Sequence, residues 1–184
     1  MMAIRMYYDP EQRRRRSTRL PGYDYAQPGA YFVTLCVQQR ECLLGEIESA
    51  GMACNEAGAM IEMWWRELPR KFPACSGDAF VVMPNHMHGI IVIDELAGAD
   101  ARHKDAHTSA SLPRIVQWFK TMTTNAYIRG VDERGWMPFA RRLWQRNYYE
   151  HIVRDEIDLN RVREYILNNP LNWEDDPDNP AVDK

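Results

Sequence analysis

The stretch that decides the fold is residues 80–93, FVVMPNHMHGIIVI. Two apolar runs flank a Pro84-Asn85 break, which reads as two strands joined by a tight turn. Side chains alternate along a strand, so His86 and His88 project from one face about 7 Å apart while Met87 points the other way. Two imidazoles so placed can grip one metal ion if a third ligand arrives from elsewhere. The plainer alternative is a satisfied surface pair, so the rest of the chain has to supply both a ligand and a reactive group.

Outward from this hairpin the pattern of elements is regular. Residues 30–38, AYFVTLCVQ, are rich in β-branched and aromatic residues and predict a first strand. Glu46–Ser49 predicts a short edge strand before a turn at Gly51. Asn55 is placed to cap a helix reaching Leu68 and stopped by Pro69, with Met60, Ile61, Trp64, Trp65 and Leu68 on its buried stripe. Ser111 and Pro113 open a second helix, predicted to end at Arg129 before Gly130. Leu143–Tyr149 predicts a fourth main strand, and Asp155–Asn168 a last helix stopped by Pro170. Strand, helix, strand, strand, helix, strand is the split β-α-β-β-α-β order of a ferredoxin-like antiparallel α+β fold, here with an additional C-terminal helix.

Composition bounds the rest. With 184 residues the chain is expected to form one domain, residues 30–173, with a basic N-terminal arm (1–29) and an acidic C-terminal tail (174–184). The formal charge of −3 comes from that tail: without it the chain holds 22 basic and 21 acidic residues. The arm carries Arg13, Arg14, Arg15, Arg16 and Arg19, a run that reads as a solvated tail or a phosphate-binding arm. The four cysteines lack metal-site spacing and read as free thiols in a reducing compartment. No apolar run approaches the roughly 20 residues of a membrane span, and no apolar core follows the arginines as in an export signal. A cytoplasmic, nucleoid-associated protein without membrane partners is the expectation. His103 and His107 stand at helical spacing, but in a polar stretch with no apolar stripe, and read as loop residues.

The last helix adds the chemistry. Leu159, Val162 and Ile166 form its apolar stripe, and Tyr165 and Asn169, four residues apart, emerge together beside it. Read alone, each is an ordinary core-edge or helix-end residue. Joined to His86 and His88, they offer a phenol nucleophile and an amide oxygen beside two imidazoles.

Five blocks of sequence then resemble one known family. They are RLPGYDYAQPGAYFVTLC (19–36), FVVMPNHMHGIIV (80–92), WFK (118–120), WQRNYYEHIVRDE (144–156) and LNRVREYILNNPLNW (159–173). Together they resemble the REP-associated tyrosine transposases, single-tyrosine members of the HUH endonucleases related to small insertion-sequence transposases. The resemblance implies His86 and His88 as metal ligands, Asn169 as the third, Tyr165 as nucleophile, and Mg²⁺ or Mn²⁺ as cofactor without any small-molecule cofactor. It implies cleavage and rejoining of single-stranded or hairpin-forming repeat DNA through a 5′-phosphotyrosine and a free 3′-hydroxyl. A monomer is favoured, with a dimer as the arrangement of related insertion-sequence enzymes. A catalytically retired module that binds hairpin DNA or RNA is the alternative, and an adduct-free metal-dependent hydrolase a third reading. Candidate DNA contacts beyond the arm are Lys120, Arg141, Arg142, Arg146, Tyr148, Tyr149 and His151. One departure stands out: after Lys120 the second helix continues TMTTNAYIRG, with fewer basic residues than a phosphate-gripping helix would carry.

Overall fold

The structure is a computed structural model that describes residue 20 and residues 22–49, 51–94 and 111–182. Arg13, Arg14, Arg15, Arg16, Arg19, His103 and His107 lie outside the described residues. The main sheet has four strands, β1 (Gly29–Cys36), β4 (Cys75–Met83), β5 (His86–Ile93) and β6 (Tyr149–Ile152). Their spatial order is β4-β5-β1-β6, and every neighbouring pair is antiparallel. Since β5 is antiparallel to both its neighbours, β1 and β4 run parallel with β5 between them, which is the split β-α-β arrangement the element order predicts. A separate ribbon of β2 (Gly45–Glu48) and β3 (Gly51–Cys54) precedes the first helix. Among the described residues no helix is long and apolar enough to cross a membrane.

One face of the sheet carries α1 (Glu56–Arg66) and α3 (Leu112–Arg134). Asn55 caps α1 as predicted, its side chain accepting from the Gly58 N–H at 2.9 Å. Tyr31, Val33 and Leu35 of β1 and Met87 and Ile91 of β5 meet Ile61, Trp65, Ile115 and Phe119 of the two helices in one continuous core. The opposite face is smaller. There Phe32 and Ile90 pack against Val162 and Ile166 of α4 (Glu156–Asn168). His86 and His88 share that face, by the same alternation that puts Met87 in the main core.

Four predicted boundaries change. Pro69 does not simply stop α1 but opens a further turn, α2 (Leu68–Lys71), and Pro170 likewise opens a 3₁₀ segment, Pro170–Asp175. Proline lacks the N–H that a first turn leaves unbonded anyway, so it starts helices as readily as it ends them. Helix α3 runs through Gly130 to Arg134 and is closed by Gly135 in the left-handed conformation (φ 70°). Gly130 serves packing instead: a Cβ there would lie 2.2 Å from the Trp136 ring. Most of Leu143–Tyr149 is not ladder strand. Leu143 and Trp144 are buried because they pack beneath α3, where the Trp144 indole donates to Thr123 Oγ1 at 2.8 Å, and only one isolated bridge, Val37↔Trp144, continues the sheet.

The fit of the sheet against α1 depends on absent side chains. Gly89 lies beneath Trp65, and a Cβ there would sit 2.5 Å from the indole. Gly89→Ala is therefore expected to lower stability by about 1–3 kcal/mol through overpacking, read as a lower urea midpoint at unchanged m-value.

Candidate metal and nucleophile site

Burial is the first fact about the two histidines. His86 is 0 % and His88 3 % exposed. Their Nε2 atoms stand 3.0 Å apart, so the predicted same-face spacing has closed into contact. Each ring is held at its other nitrogen. Asn85 fixes His86: its Nδ2 donates to the Arg40 and Asp178 carbonyls at 3.0 and 2.7 Å, so its Oδ1 is the acceptor for His86 Nδ1–H at 2.8 Å. The proton on His86 thereby sits on Nδ1, leaving the Nε2 lone pair for a ligand. On His88, Nδ1 lies 2.8 Å from Thr34 Oγ1, directly across the β1–β5 ladder. A hydroxyl can rotate to donate or accept, so it serves either tautomer.

Electrostatics keeps both rings neutral, the form that binds metal. Burial pushes the His86 imidazole down from its usual range, partly offset by the charges of Asp176 and Asp178. Burial and the adjoining His86 push His88 well down.

Helix α4 brings the other predicted residues to this point. The Tyr165 hydroxyl is 3.5 Å from His88 Nε2, and its ring lies edge-on to Phe32. Burial, then the charge of Asp176, raises the Tyr165 phenol above its ordinary value, so it is protonated at neutral pH. Asn169, at the C-cap of α4, neighbours both His86 and Tyr165. Its Oδ1 is buried without a hydrogen-bond partner. A native structure seldom leaves such an oxygen idle, and a bound cation is one way to satisfy it.

The sequence reading did not place Asp176 here. It lies in the acidic segment beyond residue 173, yet it is 8 % exposed and its Oδ2 is 4.0 Å from His86 Nε2. With His86 and His88 it forms a buried group whose ligand atoms all lie within 4.8 Å of one another, which could hold a metal ion. Two anchors bring the segment in. Arg40, its backbone in the left-handed region (φ 59°), pairs with Asp178 at 2.8 Å and donates to the Pro177 carbonyl at 2.6 Å, while Asn85 holds the Asp178 carbonyl. The only forewarning was local: Asn85, in the break before the histidines, is the residue that connects both. Two imidazoles whose Nε2 atoms face one another, a buried amide oxygen and a carboxylate make a donor set that fits a divalent ion.

The remaining predicted contacts disperse. Lys120 is committed to structure: its ammonium donates to the Gln145 and Asn147 carbonyls at 3.0 and 3.3 Å, and burial pushes its pKa down to about 8. His151 pairs with Asp158 at 2.8 Å, joining β6 to the first turn of α4 rather than facing the metal group. Tyr148 packs towards the main core, whereas Tyr149 is exposed and edge-on to Phe32. Arg141, Arg142 and Arg146 are exposed on the loop before β6.

If Asn85 sets the His86 tautomer, Asn85→Ala should weaken Mn²⁺ binding by about 10–100-fold with the direct ligands intact. Electron paramagnetic resonance titration of Mn²⁺ measures it, and His86→Ala should abolish the same binding.

No family model matches the chain. A protein of Haemophilus influenzae (strain ATCC 51907 / DSM 11121 / KW20 / Rd), described only as uncharacterized, is 39 % identical over 171 residues, covering 88 % of this chain and 91 % of that protein. Among solved structures, a REP-associated tyrosine transposase bound to a REP hairpin superposes at a TM-score of 0.50 with 22 % identity, over 84 % of this chain and 73 % of that one. The chain belongs to one family with the Haemophilus protein, and its fold is that of the REP-associated tyrosine transposases.

Proposed function

We propose that the protein is a metal-dependent single-strand DNA nuclease and strand transferase of the transposase type, cutting through Tyr165. The observation that carries this reading is that the partly exposed Tyr165 hydroxyl meets the buried histidine pair at His88 Nε2, beside the buried Asn169 oxygen. The relative of the same fold was solved on a REP hairpin, which makes hairpin-flanked DNA the first substrate to test.

His86, His88, Asn169 and Asp176 would hold Mg²⁺ or Mn²⁺. When bound, the ion supplies Lewis acidity to a non-bridging phosphate oxygen. The chain's own residues do the rest. Phe32 and His88 orient the Tyr165 ring, so that its oxygen meets phosphorus from a fixed direction. As the phenol loses its proton, its oxygen bonds to phosphorus and the bond to the 3′-oxygen breaks. The leaving oxygen takes a proton and becomes a 3′-hydroxyl, while the 5′-phosphate stays on the tyrosine. One phosphoester replaces another, so a different 3′-hydroxyl can reverse the step and join a new strand.

Tyr165→Phe should retain DNA binding and lose the covalent protein–DNA adduct, read on a denaturing gel with a labelled hairpin oligonucleotide. Undiminished cutting by that variant would assign another nucleophile. Binding without any adduct from the parent protein would instead identify a retired hairpin-binding module. Separately, Asn169→Ala and Asp176→Ala should each lower metal-dependent cleavage at least tenfold, and excess chelator should suppress it in the parent. Full cleavage in chelator would overturn the metal role.

A further inference from the structure

The two histidines differ in what holds their far nitrogens, and the difference is one of chemistry rather than distance. His86 Nδ1 meets the Asn85 oxygen at 2.8 Å, and His88 Nδ1 meets the Thr34 hydroxyl at 2.8 Å. Asn85 cannot turn over. Its amide nitrogen is spent on the Arg40 and Asp178 carbonyls at 3.0 and 2.7 Å, so its oxygen only accepts and His86 keeps its proton on Nδ1. Thr34 is buried directly across the β1–β5 ladder from His88, and its hydroxyl makes no other hydrogen bond among the described residues. A hydroxyl rotates about its C–O bond and offers either its proton or a lone pair.

This asymmetry answers a constraint between the rings, whose Nε2 atoms stand 3.0 Å apart. Two buried lone pairs repel at that distance unless a positive centre joins them. Two such centres suit the gap: a proton on the line between the nitrogens, or a metal ion bonded to both. A proton there belongs to His88, because His86 already carries its own on Nδ1. His88 is then the Nε2–H tautomer, its Nδ1 is an acceptor, and Thr34 must donate. With an ion, both Nε2 atoms present lone pairs. His88 must then carry its proton on Nδ1, and Thr34 must accept. A partner locked as Asn85 is would serve only the second arrangement, whereas a hydroxyl serves both.

We propose that Thr34 is a positioning residue that lets His88 switch between two tautomers, Nε2–H while the rings bond to each other and Nδ1–H when both ligate a divalent ion. In the change one proton leaves Nε2 to water and one reaches Nδ1 from water, so the ring stays neutral. His86 keeps a single tautomer throughout. The inference rests on the metal part of the reading above and concerns how the site admits the ion, not which bond is cut.

Proton–nitrogen correlation spectra of isotopically labelled histidines read the tautomers, with signals assigned through single histidine variants. In excess chelator His86 should be Nδ1–H and His88 Nε2–H. Stoichiometric Zn²⁺, a diamagnetic probe, should convert His88 to Nδ1–H and leave His86 unchanged. Thr34→Val, close in size but without the hydroxyl, should keep the chelator spectrum yet bind Mn²⁺ about tenfold more weakly by electron paramagnetic resonance, and Thr34→Ser should restore the affinity to within about threefold. Unchanged urea midpoints establish that both variants are folded, and the parent's tautomers decide the matter if Thr34→Val is not. A His88 ring already Nδ1–H in chelator, or protonated at both nitrogens, overturns the proposal. So does undiminished Mn²⁺ affinity in folded Thr34→Val, or failure of Thr34→Ser to restore it. A parent protein that binds neither Zn²⁺ nor Mn²⁺ refutes the metal reading itself, whereas binding with unswitched tautomers refutes only the switch.

Discussion

Burying two imidazoles with their Nε2 atoms in contact is the constraint on which the rest of the site depends. A ring taken out of water loses hydration at both nitrogens, and an unsatisfied buried group costs about 1–3 kcal/mol. Here Nδ1 of each ring is met, His86 by Asn85 and His88 by Thr34. Asn85 is in turn held by two backbone carbonyls, one from the turn at Arg40 and one from Asp178. The orientation of a single amide therefore depends on two segments far apart in sequence. This chain of dependence explains why Asp176 is at the site at all: the contact that sets the His86 tautomer also holds in place the segment carrying the carboxylate.

Much of this was legible in the sequence, and the parts that were not share a cause. Two local periodicities, alternation on a strand and the 3.6-residue helical turn, put His86 with His88 and Tyr165 with Asn169 on shared faces, while joining the two pairs into one site rested on the family resemblance. Each periodicity needs knowledge of only a few neighbouring residues. The topology followed from the order of such segments. Asp176 escaped because a run of acids after Trp173 has the composition of a solvated tail, and its segment is held in place through Asp178, which pairs with Arg40, 138 positions earlier in the chain. Nothing local distinguishes an aspartate that pairs with a distant arginine from one that faces water.

The misplaced fourth strand has a similar origin. Leu143 and Trp144 are apolar because they fill space beneath α3, and burial of that kind is indistinguishable in sequence from burial in a ladder. The helix that covers them was also read too short, since Gly130 looks like a stop signal until Trp136 is seen lying on it. Both corrections move the loop before β6 and the exposed face of α3 against each other. An open groove lies between them, lined by Gln117, Lys120 and Asn125 on one side and Arg142, Gln145 and Arg146 on the other.

What fixes the height of Tyr165 over the histidines is a defect in the sheet. Gly77 and Phe80 both meet Trp65 on the main-core side, although they are an odd number of residues apart. Strict alternation forbids that. The register shift between them resolves it and leaves both Asp78 and Ala79 on the α4 side. Asp78 then receives a two-point contact from Arg163 of α4, Nε to Oδ1 at 2.8 Å and Nη2 to Oδ2 at 2.5 Å. The apolar contacts of Val162 and Ile166 are non-directional and would tolerate a slide or rotation of the helix. A bidentate guanidinium–carboxylate pair does not, because both bonds must align at once. Arg163 lies half a turn from Tyr165, so holding one in register holds the other, and a bulge at the far edge of the sheet positions the phenol beside His88.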